Sequence, residues 1–394
     1  MIGYRRFIVR ESVTRNAWRT KLSRHHLALA LLGVAFLCGA CSERPLQGVL
    51  IPVAEATPGT SRVPVLVATT RQRAPSDPGE MFNSERAESI SYASVTVSIP
   101  PDANRKIGEV QWPAVVPGDP SRNFVTVSAD YIDKKDFAAA IANTAKQTGR
   151  SKVMVFVHGF NNRFDDAVYR FAQIVHDSKA PVVPVLFTWP SRGEIRLRAY
   201  TYDRDSATYS RDALEDLLAM LASYPSVKEI SVLAHSMGNW VTLEALRGRS
   251  MRAAQGRTNT DKLKYAMLVA PDVDVDVFRT QIQRMGAARP RIALFVSQDD
   301  KALALSKIIW GGVPRLGEID PNIEPYRSEF ERDRIMVFNL TKLKSIGDDP
   351  HDRAFEDITT VVGMIRQRLS EGQAMTDHRP NPIAHMENIS AMSR

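Results

Sequence analysis

The amino-acid sequence predicts an α/β fold with a mostly parallel sheet and helices on both faces. Three observations predict it. From Lys152 onward, short runs of β-branched residues alternate with segments of helical period, the pattern of successive βαβ units. One run, Ile230 to Leu233, leads into Ala234-His235-Ser236-Met237-Gly238, a serine among small residues where a strand gives way to a helix. An earlier run, Val153 to Val157, ends in His158-Gly159-Phe160-Asn161.

The elements follow in chain order. Residues 1–40 hold a basic stretch, the apolar run Leu27 to Leu37 and the small residues before Cys41, the anatomy of a secretion signal. The run is too short to cross a bilayer comfortably. Arg5, Arg6, Arg10, Arg15, Arg19, Lys21 and Arg24 oppose only Glu11 here, so losing this segment takes the formal charge from +8 to +2. The basic surplus that then remains is too small to favour nucleic acid as a partner. The 2 cysteines of the chain, Cys38 and Cys41, both lie at this boundary, so the domain is expected to hold together by its core and not by disulfides.

Residues 41–62 carry Pro, Gly and Thr and read as a tether. The folded domain is expected over 63–370. Val63 to Arg71 and Val95 to Pro100 are strand candidates, followed by a Pro-rich connector and a helix around Lys135 to Lys146. Val182 to Thr188, Glu229 to Leu233, Tyr265 to Ala270, Ile292 to Ser297 and Ile335 to Asn339 are further strands, and Leu214, Leu217, Leu218 and Leu221 mark the helix before the serine turn. Phe355, Ile358, Val362, Ile365 and Leu369 share a stripe on a last helix, and residues 371–394 read as a polar tail. Trp189 to Ser210, with Arg192, Arg196, Arg198 and Arg204, and Trp310 to Asp333 read as long connections at strand ends. The arginines suit a solvated face or, alternatively, attraction to anionic substrates or lipid headgroups. Neither connection reads as an apolar lid.

The serine turn has the requirements of a nucleophile elbow. A strained turn lifts the serine off the sheet, and the next amide, that of Met237, faces the reacting carbonyl as an oxyanion donor. Ala234 stands where glycine is usual, while Gly238 keeps the more crowded position clear. The loop after Val157 supplies the second donor, Phe160, with Asn161 as the alternative. Downstream of Ser236 the histidines are His351, His378 and His385, and the last two fall in the polar tail, which leaves His351 as the base. The acid is sought among Asp299 and Asp300, after one strand, and Asp272, Asp274 and Asp276, after another. His235 reads as a packed neighbour of the serine and His176 as a cation complementing a helix C-terminus.

These motifs resemble the α/β-hydrolase superfamily. More narrowly, the chain is similar to uncharacterised bacterial esterase- or lipase-like hydrolases that carry His-Gly-Phe-Asn, Ala-His-Ser-Met-Gly and a later Ser-x-x-Asp-x-Ala-Leu, here Ser297 to Leu303. The resemblance runs from about Val63 to about Leu369. It implies the α/β-hydrolase fold, and it selects Asp300 as the acid. It also implies acyl transfer to water through an acyl-serine: Ser236 attacks, His351 takes and returns the proton, Asp300 orients the imidazole, and the Phe160 and Met237 amides hold the oxyanion. A carboxylesterase acting on small or moderately sized acyl substrates is expected, without metal or cofactor, as no His-Glu-x-x-His occurs. The alternative is a non-catalytic binding or assembly module of the envelope on the same fold.

Gly39-Ala40-Cys41 in turn resembles a bacterial lipoprotein cleavage box, with Cys38 where leucine is usual. That resemblance implies a lipidated Cys41 as mature N-terminus, membrane attachment through it and, from Ser42, the outer membrane facing the periplasm. An ordinary secretory signal or an uncleaved anchor is the alternative.

Overall fold

The computed structural model describes residues 44–363 apart from 46, 54–56, 78, 257–260, 342 and 344–349. The leader, Cys41, the end of the last helical stripe and the tail 371–394 lie outside the described residues. The described strands are β1 (Ser61–Ala74), β2 (Met81–Ile99), β3 (Val125–Ile132), β4 (Lys152–Val157), β5 (Val183–Thr188), β6 (Glu229–His235), β7 (Leu263–Val269), β8 (Arg291–Val296) and β9 (Met336–Asn339). They form one sheet in the order β3-β2-β1-β5-β4-β6-β7-β8-β9. From β1 to β9 every pairing is parallel, and β2 runs antiparallel to both its neighbours. The helices are α1 (Lys134–Thr148), α2 (Phe164–Ser178), α3 (Leu197–Tyr209), α4 (Arg211–Ser223), α5 (Gly238–Ala254), α6 (Val275–Met285), α7 (Lys301–Ile309), α8 (Tyr326–Arg332) and the short α9 (Arg353–Glu356).

Helices cover both faces because the strands are apolar on both. Val153, Val155 and Val157 of β4 join a core with Phe137 and Ile141 of α1, Leu214 and Leu218 of α4 and Phe278 of α6. Phe156, one residue out of phase, joins the opposite core with Val168, Phe171 and Ile174 of α2. Each such side chain contributes roughly 1.5–3 kcal/mol on burial. Local signals set the helix ends: Asp133 accepts the Asp136 amide at 2.7 Å to start α1, and Asp274 accepts the Asp276 and Val277 amides to start α6.

This topology makes a crevice. β4 continues through α2 to β5 on one side, whereas β6 continues through α5 to β7 on the other. The loops after β4 and β6 therefore diverge at the carboxyl ends of adjacent strands, the usual place for a ligand in an open α/β sheet. His158-Gly159 and Ser236 stand there.

Three expectations need correction. Part of the segment read as a tether is packed: Val49 and Leu50 are buried in the core with α2, and the Val49 carbonyl accepts from Tyr169 Oη at 2.8 Å and Thr126 Oγ1 at 2.9 Å. The Pro-rich connector contains β3, which pairs with β2 along the sheet edge. The connection Trp189 to Ser210 carries α3, whose Tyr200 and Ala207 reach the core.

Candidate active site

Strand β6 runs into the serine with no room to spare. Ser236 adopts φ +49°, a left-handed conformation that costs a non-glycine residue on the order of 1–3 kcal/mol. Hydrogen bonds hold it there: the Ser236 amide donates to the Val269 carbonyl at 3.0 Å, and Asn239 Nδ2 donates to the carbonyls of Ser236 (2.9 Å) and Val269 (3.1 Å). Helix α5 begins at Gly238, where a methyl group would stand 2.3 Å from the His158 carbonyl oxygen and 2.6 Å from that of Val157. Both obstacles are backbone. Gly238→Ala is accordingly expected to lower unfolding free energy by roughly 1–3 kcal/mol, read from urea denaturation. Ala234 is fully buried and its methyl fits, which explains why glycine is dispensable there.

The loop after β4 lies directly against the serine. A methyl on Gly159 would stand 2.8 Å from Ser236 Cβ, so only glycine allows this approach. Successive loop carbonyls are held by different side chains. Gly159 O accepts from His158 Nδ1 at 2.9 Å, Phe160 O from Asn162 Nδ2 at 2.8 Å, Asn161 O from Arg44 Nη1 at 3.2 Å, and Asn162 O from Arg71 Nη2 at 2.7 Å. In a trans peptide the C=O and N–H point in opposite directions, so His158 fixes the Phe160 amide by gripping the Gly159 carbonyl. His158 Nε2 accepts the Trp189 amide at 3.1 Å, which leaves the ring proton on Nδ1. Burial, with Arg71 nearby, holds its pKa well below the ordinary value, so the ring stays neutral.

The two candidate donors of the oxyanion site are distinguished by their lack of protein acceptors. Among the described residues, neither the Phe160 nor the Met237 amide donates to a protein atom. The Asn161 amide instead points at Asp203 Oδ2, 3.5 Å away. Asp203 also accepts from Ser191 Oγ and, at 2.8 Å, from the Arg192 amide, and burial pushes its pKa up to about 6.

On the other side of the crevice, His351 Nδ1 donates to Asp300 Oδ2 at 2.7 Å. A neutral ring in this arrangement carries its proton on Nδ1 and its lone pair on Nε2. The other oxygen, Asp300 Oδ1, accepts the Leu303 amide at 3.0 Å and caps α7. Burial alone would raise the Asp300 pKa, but the His351 charge and hydrogen bond and the Leu303 amide outweigh it and lower the value. The segment around His351 is pinned twice, by Arg170 to Asp352 at 3.0 Å and by Arg353 to Asp299 at 2.8 Å and the Leu340 carbonyl at 2.9 Å.

The other carboxylates are engaged elsewhere. Asp299 belongs to Arg353, and Asp272 accepts from Arg315 Nε (2.8 Å), Tyr200 Oη (2.7 Å) and Ser306 Oγ (2.6 Å). Asp274 caps α6. His176 lies in the last turn of α2, with Nε2 3.5 Å from Asp102. No local pattern in the sequence marks the roles of Arg71, Asp203 and Arg353. Only Arg353, two residues after His351, stood close enough in the chain to be suspected.

His235 links serine and imidazole. Its ring lies 4.7 Å from the His351 ring and 4.9 Å from Phe355, and its Nε2 donates to the His351 carbonyl at 3.3 Å. Burial first, then the neighbouring His351, brings its pKa from the ordinary 6.5 down to about 4. The unfolded chain binds this proton below 6.5 and the folded chain only below about 4. Stability from this group is therefore complete above pH 6.5 and falls by roughly 3 kcal/mol as pH drops to 4. His235→Phe is expected to flatten this part of the pH dependence of the urea midpoint. An unchanged slope in the variant would assign it to other groups.

A serine held at positive φ at a topological switch point, with a His–Asp pair on a neighbouring loop, is the architecture of an α/β hydrolase. The chain belongs to the family described as alpha/beta hydrolase of unknown function (DUF900), which matches residues 133–368. That match begins at α1, so the quoted similarities before it, in β1 and β2, lie outside it. No curated protein matches the chain. Among solved structures, an esterase B from Lactobacillus rhamnosis is similar at 9% identity and TM-score 0.32, over 89% of this chain and 97% of that one. An esterase of Pyrococcus furiosus is similar at 12% identity and TM-score 0.30, over 57% and 84%.

Proposed function

We propose that the protein is a serine hydrolase of the carboxylic-ester type, tethered to the bacterial cell envelope through lipidated Cys41. The observation that carries the catalytic reading is the Asp300–His351 hydrogen bond of 2.7 Å beside His235, the residue before Ser236. In this reading His351 Nε2 takes the proton of Ser236 Oγ as the hydroxyl attacks the acyl carbon. Asp300 holds the tautomer and stabilises the imidazolium. The Phe160 and Met237 amides stabilise the tetrahedral oxyanion, and loss of one such donor costs roughly 100-fold or more in turnover. Collapse expels the alcohol, protonated by His351, and leaves an acyl-serine. Water, deprotonated by the same imidazole, then releases the acid and restores the serine.

A fluorophosphonate probe tests the nucleophile. The wild-type chain is expected to be labelled on Ser236, and Ser236→Ala to give no adduct while keeping its circular dichroism spectrum. Absence of label on the folded wild-type protein would overturn the reading. Mass spectrometry of protein from membranes tests the tether, with a diacylglyceryl group on Cys41 expected and an intact leader or unmodified Cys41 counting against it.

A further inference from the structure

Helix α7 buries Leu303 and Ser306 and presents further apolar side chains to solvent. Leu305 is 57% exposed and Ile308 73%, while Ser306 is buried against Asp272 and Tyr200. An ordinary surface helix keeps its large aliphatic side chains on the buried face. Trp310, next in the chain, donates Nε1 to Tyr200 Oη at 2.9 Å and so ties α7 to the start of α3. There Ile195 is 75% exposed and Leu197 65%. Phe160 packs edge-on against Tyr200 with ring centres 5.3 Å apart, so both elements border the crevice over Ser236. Scattered exposed apolar residues are ordinary, but a set gathered on two joined elements at one rim marks a contact surface.

Charge indicates what the rim contacts. Lys301, Arg196 and Arg198 are exposed on this rim beside Lys307 and Arg192; Lys307 pairs with Glu318, Arg192 with Glu85, and Arg196 lies 3.6 Å from Glu194. A second copy meeting this rim about a twofold axis would oppose basic groups to basic groups. The chain also enters here: Arg44 Nη2 donates to the Gly193 carbonyl at 3.0 Å, two residues before Ile195. On the proposed tether, lipid-bearing Cys41 stands three residues before Arg44.

We propose that this rim docks on the surface of an anionic phospholipid bilayer. Ile195, Leu197, Leu305, Ile308, Ile309 and Val313 enter the acyl boundary while the surrounding basic side chains meet the headgroups. On the reading of Ser236 as nucleophile, the substrates are then acyl esters presented by the membrane. The docking itself does not depend on that reading.

The test uses the full-length Ser236→Ala chain, which leaves the vesicles chemically intact and separates docking from catalysis. Amide hydrogen exchange is followed with and without vesicles of phosphatidylglycerol and phosphatidylethanolamine. Amides of 195–199 and 302–313 are expected to exchange about threefold more slowly, or slower still, with vesicles present. Adding Leu305→Ser and Ile308→Ser, which leave buried Leu303 and Ser306 in place, is expected to abolish that protection without changing the circular dichroism spectrum. Absence of protection, its persistence in the doubly substituted rim, or equal protection by phosphatidylcholine alone would overturn the proposal. Protection that grows with protein concentration without vesicles would assign the rim to a second copy and overturn it as well.

Discussion

Replacing His351 with alanine is expected to lower kcat for a soluble nitrophenyl ester by roughly 10⁵–10⁶-fold, about as much as removing Ser236 itself. On the proposed mechanism the two residues act as a unit, because a serine hydroxyl is a poor nucleophile until a neutral imidazole accepts its proton. The double variant should therefore be scarcely slower than either single one. His351 is held by its Asp300 hydrogen bond and by contact with His235, and its neighbours Asp352 and Arg353 keep their own partners when the ring is removed. The fold should survive. His235 provides the control: a ring held neutral by burial, with Nε2 committed to the His351 carbonyl, has no proton to exchange in turnover. Steady-state kinetics with His235→Phe should show a loss of about 10-fold or less, consistent with a packing role. A loss equal to that of His351→Ala would exchange the two assignments.

Asp300→Asn is expected to reduce kcat by roughly 10⁴-fold while leaving stability nearly unchanged. Asparagine is a good N-cap, so the bond from the Leu303 amide persists and α7 keeps its start. It cannot impose the productive tautomer on His351. Asp300→Ala loses both functions, and its urea midpoint should drop with a cap loss of roughly 1 kcal/mol in addition to the activity. The other carboxylates should behave in the reverse way. Asp272→Ala leaves the buried Arg315 charge uncompensated, which costs roughly 3–5 kcal/mol in stability, but it does not touch the imidazole. Activity per folded molecule separates the cases. If Asp272→Ala abolished turnover in folded protein while Asp300→Asn did not, the acid would have to be reassigned.

Much of this architecture was legible because the central strands are written in one residue vocabulary. Val153 to Val157 and Ile292 to Val296 are apolar on both faces, and Ile230 to Ala234 is so apart from Ser231, as strands covered by helices on both sides must be. The serine turn and the His-Gly loop could be read because close backbone approach restricts the residues at Gly159 and Gly238. β3 was hidden by the prolines before it and by Ser128, Asp130 and Tyr131, which suit a half-exposed edge and not a core strand. Val49 and Leu50 escaped notice because two apolar residues have no period. Arg71 is legible as a strand residue but not by its role: its partners Asn162, Thr188 and Ser191 are about a hundred residues away and are reached only after β1 pairs with β5. The outward face of α7 was missed for another reason. A short apolar stretch beside a strand is ordinarily buried, and only the packing of Ser306 inward turns Leu305 and Ile308 out.

Asp300 offers one oxygen to the amide that starts α7 and the other to the ring of His351. The candidate base and the helix thus share a single rigid hinge pin. A rotation of that helix, whatever drives it, tilts the carboxylate plane and re-aims the imidazole. Sequence changes on the outer surface of α7 can therefore tune the chemistry in the crevice without any altered side chain ever meeting the substrate.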